Sequence, residues 1–293
     1  LVLSSPVDEV LARQGFGCDD HMNQGDVEYA DLVEPEAIKE ALRMNIVAGA
    51  QCLVAPTAGI TPACLRACGL ETRGSEIVHS ALKVVRSLTP QHVLVEIAPC
   101  GLPLDPSSKN SLNEHRDQYA RAARFCADET FDAFFLNGFA NPTDLKCALM
   151  GIRQVSEAPI VASVTVDGEG TLADGRHSFA EALEVMGEYG ATVAGFATRA
   201  LPEAAATLAD EAVAKLGLPV LAQLVVDVVN PRQGEMTEAN PYFTPDVLIG
   251  VAAQLRDHGV QFLRATGHAT PAYTAALVAA TAGFDVKRPD VDG

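Results

Sequence analysis

The feature that most constrains this chain is an eightfold alternation. Short runs rich in apolar and β-branched residues recur along it, each followed by a stretch with helical periodicity. The runs are LVLSS (1–5), CLVAPT (52–57), HVLVEIAP (92–99), FDAFFLNG (131–138), PIVASVTV (159–166), TVAGFAT (192–198), PVLAQLVV (219–226) and QFLRATG (261–267). Between them lie patterns such as PEAIKEALRMNIVAGA (35–50), which places Ile38, Leu42 and Ile46 on one face. Pro or Asn at the first turn and Gly after the last are ordinary start and stop signals. Strict alternation forces parallel pairing, because each crossover returns the chain to the same end of the sheet. Eight such units in 293 residues predict an α/β fold, a (β/α)8 TIM barrel. The alternative, an open doubly wound sheet, would carry a Gly-rich first turn, and SSPVDEV (4–10) has none.

No linker and no low-complexity segment interrupts the pattern, so one domain is expected over residues 1–293. Its connection 7–34 is longer than an ordinary βα loop. The expectation is a long first loop that covers the barrel mouth or forms a lid. Hydrophobic residues make up 48% of the chain, enough for a large core, yet no apolar run is long enough to span a bilayer. The start lacks the basic and apolar regions of a signal peptide. Net charge is −17 with no cluster of cations, which argues against nucleic acid and against an anionic membrane surface. Seven cysteines, an odd number, in a long chain point to reduced thiols and a cytoplasmic protein.

In such barrels the chemistry sits at the C-terminal ends of the strands. That rule selects Thr57, Glu96, Asn137, Asp167, Thr198, Arg264, Thr266 and His268, with Cys100, Arg199 and Asp227 beside them. Glu96 lies inside an apolar run, so its carboxylate must be paired, protonated or at the mouth. Arg264 has a similar depth, and the two invite a pair across the lumen. Such a pair is either structural or leaves the Arg264 fork to hold a substrate carboxylate. His268, in a turn, is a capping residue, a general base or a metal ligand. Cys18 and His21 in GCDDH have near-ligand spacing, but two donors do not make a tetrahedral site. DGEGTLADG (167–175) reads as an anion cradle or as two tight turns. The GxGxxG and GxxxxGK[ST] nucleotide motifs are absent.

Several segments together resemble the homocysteine S-methyltransferase family over almost the full length. They are EIAPCG (96–101), VASVTVDGEGTLADGRHSFAEAL (161–183), YGATVAGFAT (189–198) and YFTPDVLIGVAAQLRDHGVQFLRATGHATPAYTAAL (242–277). The resemblance implies a homocysteine-binding barrel that works in methyl transfer on a small molecule. In the family three cysteines hold zinc, one after the sixth run and an adjacent pair at the end of the eighth. Those positions fall here on Thr198, Thr266 and Gly267. Thr is a poor zinc ligand and Gly has no side chain, so no zinc is expected there. Other polar family positions are replaced by Val54, Ala55 and Pro56, by Asn137 and Gly138, and by Val225. A substitute zinc site would need His268, Cys52 and Cys100 to meet at the mouth.

The sequence therefore predicts a methyltransferase-like barrel with catalytic Glu96 and His268, and with Thr57, Asn137, Asp167, Thr198, Arg264 and Thr266 binding substrate. A corrinoid-bound methyl donor on a partner protein is compatible with the resemblance. One alternative is a degenerate, non-catalytic barrel that binds a metabolite or a partner. Another is an unrelated enzyme using Glu96, Arg264 and Asp227 on a carboxylated substrate.

Overall fold

The computed structural model describes residues 1–15 and 25–283. Seven parallel strands follow one another in sheet order: β1 Cys52–Ala55, β2 His92–Ile97, β3 Ala133–Phe139, β4 Ile160–Thr165, β5 Val193–Thr198, β6 Val220–Val226 and β7 Val260–Gly267. The eighth predicted run, residues 1–5, closes the ring. It bridges β7 through Val2–Leu263 and β1 through Leu3–Cys52, both parallel. Leu3 N donates to Leu263 O and Ser4 N to Cys52 O, each at 2.9 Å. The run is too short to count as a full strand, but its backbone bonds run to both neighbours. The expected (β/α)8 barrel is what the chain forms.

Helices pack outside the ring as the crossovers require. They include α3 Pro35–Val47, α5 Gly74–Ser87, α6 Lys109–Arg124, α7 Pro142–Arg153, α8 Phe179–Glu188, α9 Pro202–Leu216, α10 Val247–Asp257 and α11 Pro271–Thr281. Local signals set their ends. Asn141 caps α7, its Oδ1 accepting from Thr143 N and Asp144 N. Ser178 and Glu181 form a reciprocal capping box on α8. The first connection carries two short helices, α1 Asp8–Arg13 and α2 Asp26–Val33. Cys18 and His21 lie outside the described residues.

The larger apolar core fills the layer between sheet and helices. A second cluster, with Leu3, Val54, Leu94, Phe135, Val161 and Leu221, fills the lower lumen. Side chains alternate faces along a strand, so the next inward positions lie one layer higher. At that level stand Glu96, Asn137, Ser163, Gln223 and Arg264. The barrel interior is thus an apolar floor under a polar layer, and the polar layer faces the mouth.

Candidate active site at the barrel mouth

Each polar residue of the upper layer is tied to the next. Asn137 Nδ2 donates to Glu96 Oε1 at 2.6 Å. Gln223 Nε2 donates to Asn137 Oδ1 at 2.7 Å and to Ser163 Oγ at 2.8 Å. Arg264 Nη1 donates to Gln223 Oε1 at 3.3 Å, and its Nε donates to Ser4 O at 3.0 Å. Arg264 Nη1 also lies 3.5 Å from Glu96 Oε1, with side-chain exposures of 2% and 13%. Below, the guanidinium stacks 5.2 Å over the Phe135 ring, a cation–π contact that roofs the apolar floor. Two groups remain unbonded: Arg264 Nη2 and Glu96 Oε2 have no hydrogen-bond partner among the described residues. Both residues line the cavity above.

Two cavities open at this end. The first, of about 300 Å³, lies under the first connection. Asp8, Glu28, Glu96, Arg264 and Thr266 supply its polar walls, and Val7, Val27 and Pro99 its apolar ones. Burial pushes the Asp8 carboxyl up, and nearby Glu96 adds to the rise. Burial likewise pushes Glu28 up, against the bond it accepts from Gly59 N at 2.6 Å. The cavity therefore presents one guanidinium among three carboxyl groups. The 7–34 segment contributes Val7, Asp8, Gly25, Val27 and Glu28 to this wall.

The second cavity, of about 720 Å³, lies between the ends of β3 and β7. Asn137, Asp167, Thr198, Thr266 and Gly267 line it. The family's zinc positions thus converge on one space, which makes a direct test of fit available. They do not fit zinc. Thr198 Oγ1 already accepts from Ala200 N at 3.1 Å. Gly267 has φ +70°, and a Cβ built there would come within 2.4 Å of Val226 O. A side chain at 267 would therefore meet the backbone, and among the described residues no cysteine lines this cavity.

The other sequence-selected residues have different fates. Thr57 is fully buried and lines neither cavity. Its hydroxyl donates to Glu96 O at 2.9 Å. Asp167 Oδ1 accepts from Glu169 N and Thr171 N at 2.9 and 2.8 Å, holding the two tight turns of its loop. His268 lines neither cavity; it is half exposed at the rim, with Nδ1 3.1 Å from Glu9 Oε2. Arg199 and Asp227 pair at the rim at 3.2 Å. Cys52 begins β1 and so lies at the far end of the barrel, lining an apolar hollow with His92 and Pro159. His268, Cys52 and Cys100 do not meet.

Sequence reasoning passed over Gln223, Ser163, Asp8 and Glu28. The first two had a signal: each is a lone polar residue inside an apolar run. The second two had none, because their place depends on how the first connection folds back.

An eight-unit parallel barrel with a polar, ligand-sized mouth is a scaffold that can take a small molecule. The sequence profile of the Homocysteine S-methyltransferase family matches residues 9–280, and the chain belongs to that family. Two crystal structures of the Escherichia coli homocysteine methyltransferase MmuM share its fold. The metallated form has TM-score 0.77, 16% identity and 95% coverage of both chains. The oxidized form has TM-score 0.76 with the same identity and coverage. The carboxyl transferase domain of Rhizobium etli pyruvate carboxylase has TM-score 0.57 and 14% identity; the match covers this whole chain and 44% of that one. No curated protein sequence matches the chain. Among the described residues no helix is long and apolar enough to cross a membrane.

Proposed function

We propose that this family member transfers a methyl group to an acceptor with the zwitterionic head of an α-amino acid, homocysteine being the family's own example. One observation carries the reading. The first cavity holds a single guanidinium with a free Nη2 beside carboxyl groups of Asp8, Glu28 and Glu96. A planar fork suits a carboxylate, and the carboxyl wall suits an ammonium. Either charge alone would be badly matched: an anion would meet the acidic wall, and a cation would meet Arg264.

Methyl transfer then needs the acceptor's lone pair free. Zinc cannot be bound through the strand-end positions, so no step runs through it. Glu96, which lines the first cavity, supplies the base. It takes the acceptor's proton as the methyl leaves its donor with the bonding pair left behind. Glu96 Oε1, held by Asn137 and Arg264, fixes that geometry. Thr198 and Thr266 border the second cavity, which would receive the methyl donor. A corrinoid carried by a partner protein and a small methylated cation are the two donor classes to compare. Cys52, Cys64, Cys100, Cys126 and Cys147 carry free thiols, which supports a reducing cytoplasm.

A thermal-shift and calorimetric series tests the reading. Homocysteine should raise the melting temperature; its analogues lacking the carboxylate or the ammonium should not. Equal shifts from either truncated analogue would overturn the zwitterion assignment. The closed zinc position favours a second reading, a binding barrel without turnover. Homocysteine binding with no methylated product from either donor class would establish it.

A further inference from the structure

A separate cluster lies behind the mouth, where the loop after β2 packs on α6 and α7. Cys100, His115 and Asp144 each offer one donor atom, and all three atoms lie within 4.8 Å of one another. Cys100 Sγ is 3.5 Å from His115 Nδ1, and His115 Nδ1 is 3.0 Å from Asp144 Oδ1. Around tetrahedral zinc, the usual bond lengths put sulfur and nitrogen ligands about 3.6 Å apart and two light ligands about 3.3 Å apart. The two separations through His115, 3.5 and 3.0 Å, lie near those values.

The surroundings of His115 suit a ligand: its Nε2 lies 3.3 Å from Pro103 O, which can only accept, and its Nδ1 faces Asp144 Oδ1 at 3.0 Å. The second carboxylate contact is also in place: Tyr119 OH donates to Asp144 Oδ1 at 2.9 Å. Histidine ligands commonly donate their other N–H to a backbone carbonyl, and ligating carboxylates are commonly hydrogen-bonded in turn.

We infer that Cys100, His115 and Asp144 form a binding site for a borderline divalent transition ion such as zinc, distinct from the strand-end positions of Thr198, Thr266 and Gly267. The sulfur donor disfavours magnesium and calcium, which take oxygen. Asp144, at 14% side-chain exposure against 2% for His115, is the side from which the ion enters. The ion would pin the loop that carries Ala98 and Pro99, two residues of the first cavity's wall. It would act as a staple, not as a reactant.

Cobalt(II) titration of the chelator-treated full chain tests this independently of any methyl-transfer assay. The expected result is one equivalent bound, with a thiolate-to-cobalt charge-transfer band and d–d bands of tetrahedral intensity. Cys100→Ser should abolish the charge-transfer band and weaken zinc binding at least about 100-fold, and Asp144→Asn should weaken it about 10- to 100-fold. Cys126→Ser, a buried thiol elsewhere, should change neither. The wild-type spectrum decides even where a variant folds poorly. No charge-transfer band in the wild type, or a band that persists in Cys100→Ser, would overturn the assignment.

Discussion

Replacing Arg264 by Met probes the polar layer most sharply. The guanidinium is 2% exposed and serves Ser4 O, Gln223 Oε1 and Glu96 Oε1 while stacking on Phe135. Methionine fills much of the volume but leaves Glu96 a buried charge whose only remaining bond is from Asn137. Breaking a buried pair from one side costs about 3–5 kcal/mol. Glu96 is 13% exposed toward the cavity, so water offsets part of that, and about 3 kcal/mol is expected. Glu96→Gln keeps an acceptor for Asn137 and leaves Arg264 with two neutral acceptors, for about 2 kcal/mol. The double variant has no unpaired charge. It should cost about 3 kcal/mol, not the sum of roughly 5, a coupling of about 2 kcal/mol. Urea unfolding followed by circular dichroism reads all four corners of the cycle. Additivity to within about 0.5 kcal/mol would refute the claim that the two charges depend on each other.

Four further outcomes follow from the structure. Gly267→Cys forces a side chain at φ +70° against Val226 O, and should cost about 1–3 kcal/mol in chemical denaturation. Adding Thr198→Cys and Thr266→Cys to it should not create a tight zinc site, as metal competition in a Cys100→Ser background would show. Asp31 is fully buried, neither carboxyl oxygen has a hydrogen-bond partner among the described residues, and burial, with Glu28 second, pushes its pKa well above the ordinary 3.8. A raised folded pKa gives stability that is complete below the unfolded pKa and lost as pH rises through the folded one. Stability of the wild type should therefore fall relative to Asp31→Asn as pH climbs from about 4, and parallel pH profiles would contradict this. His268→Ala removes an exposed rim pair with Glu9, and should change stability by less than about 0.5 kcal/mol and leave homocysteine binding unchanged in calorimetry.

The barrel was legible in the sequence because its signal is repeated eight times. Each run needs only to alternate with a helix, and every crossover repeats the same inference. Glu96 and Arg264 were legible for a related reason: a charge inside an apolar run must be explained wherever it sits. The family positions Thr198, Thr266 and Gly267 were legible only through resemblance, and the structure adds why cysteine cannot return at 267. What the sequence hid was orientation. Thr57 and Asp167 both sit at strand ends, yet Thr57 bonds Glu96 O and lines neither cavity, while Asp167 lines the second cavity with its Oδ1 on loop amides. Asp8 and Glu28 lie in a connection with no periodic constraint, so their arrival in the first cavity had no local signature. The Cys100–His115–Asp144 cluster joins a loop and two helices, and no spacing rule links those three positions.

The central claim is that an amino-acid head group is held by Arg264 and the carboxyl wall without help from zinc at the strand ends. Calorimetry of homocysteine against chelator-treated Cys100→Ser protein tests it most directly, because that background removes the other proposed metal site. The account predicts binding that survives chelation and is lost in Arg264→Met. Binding abolished by the chelator and restored by added zinc would contradict it.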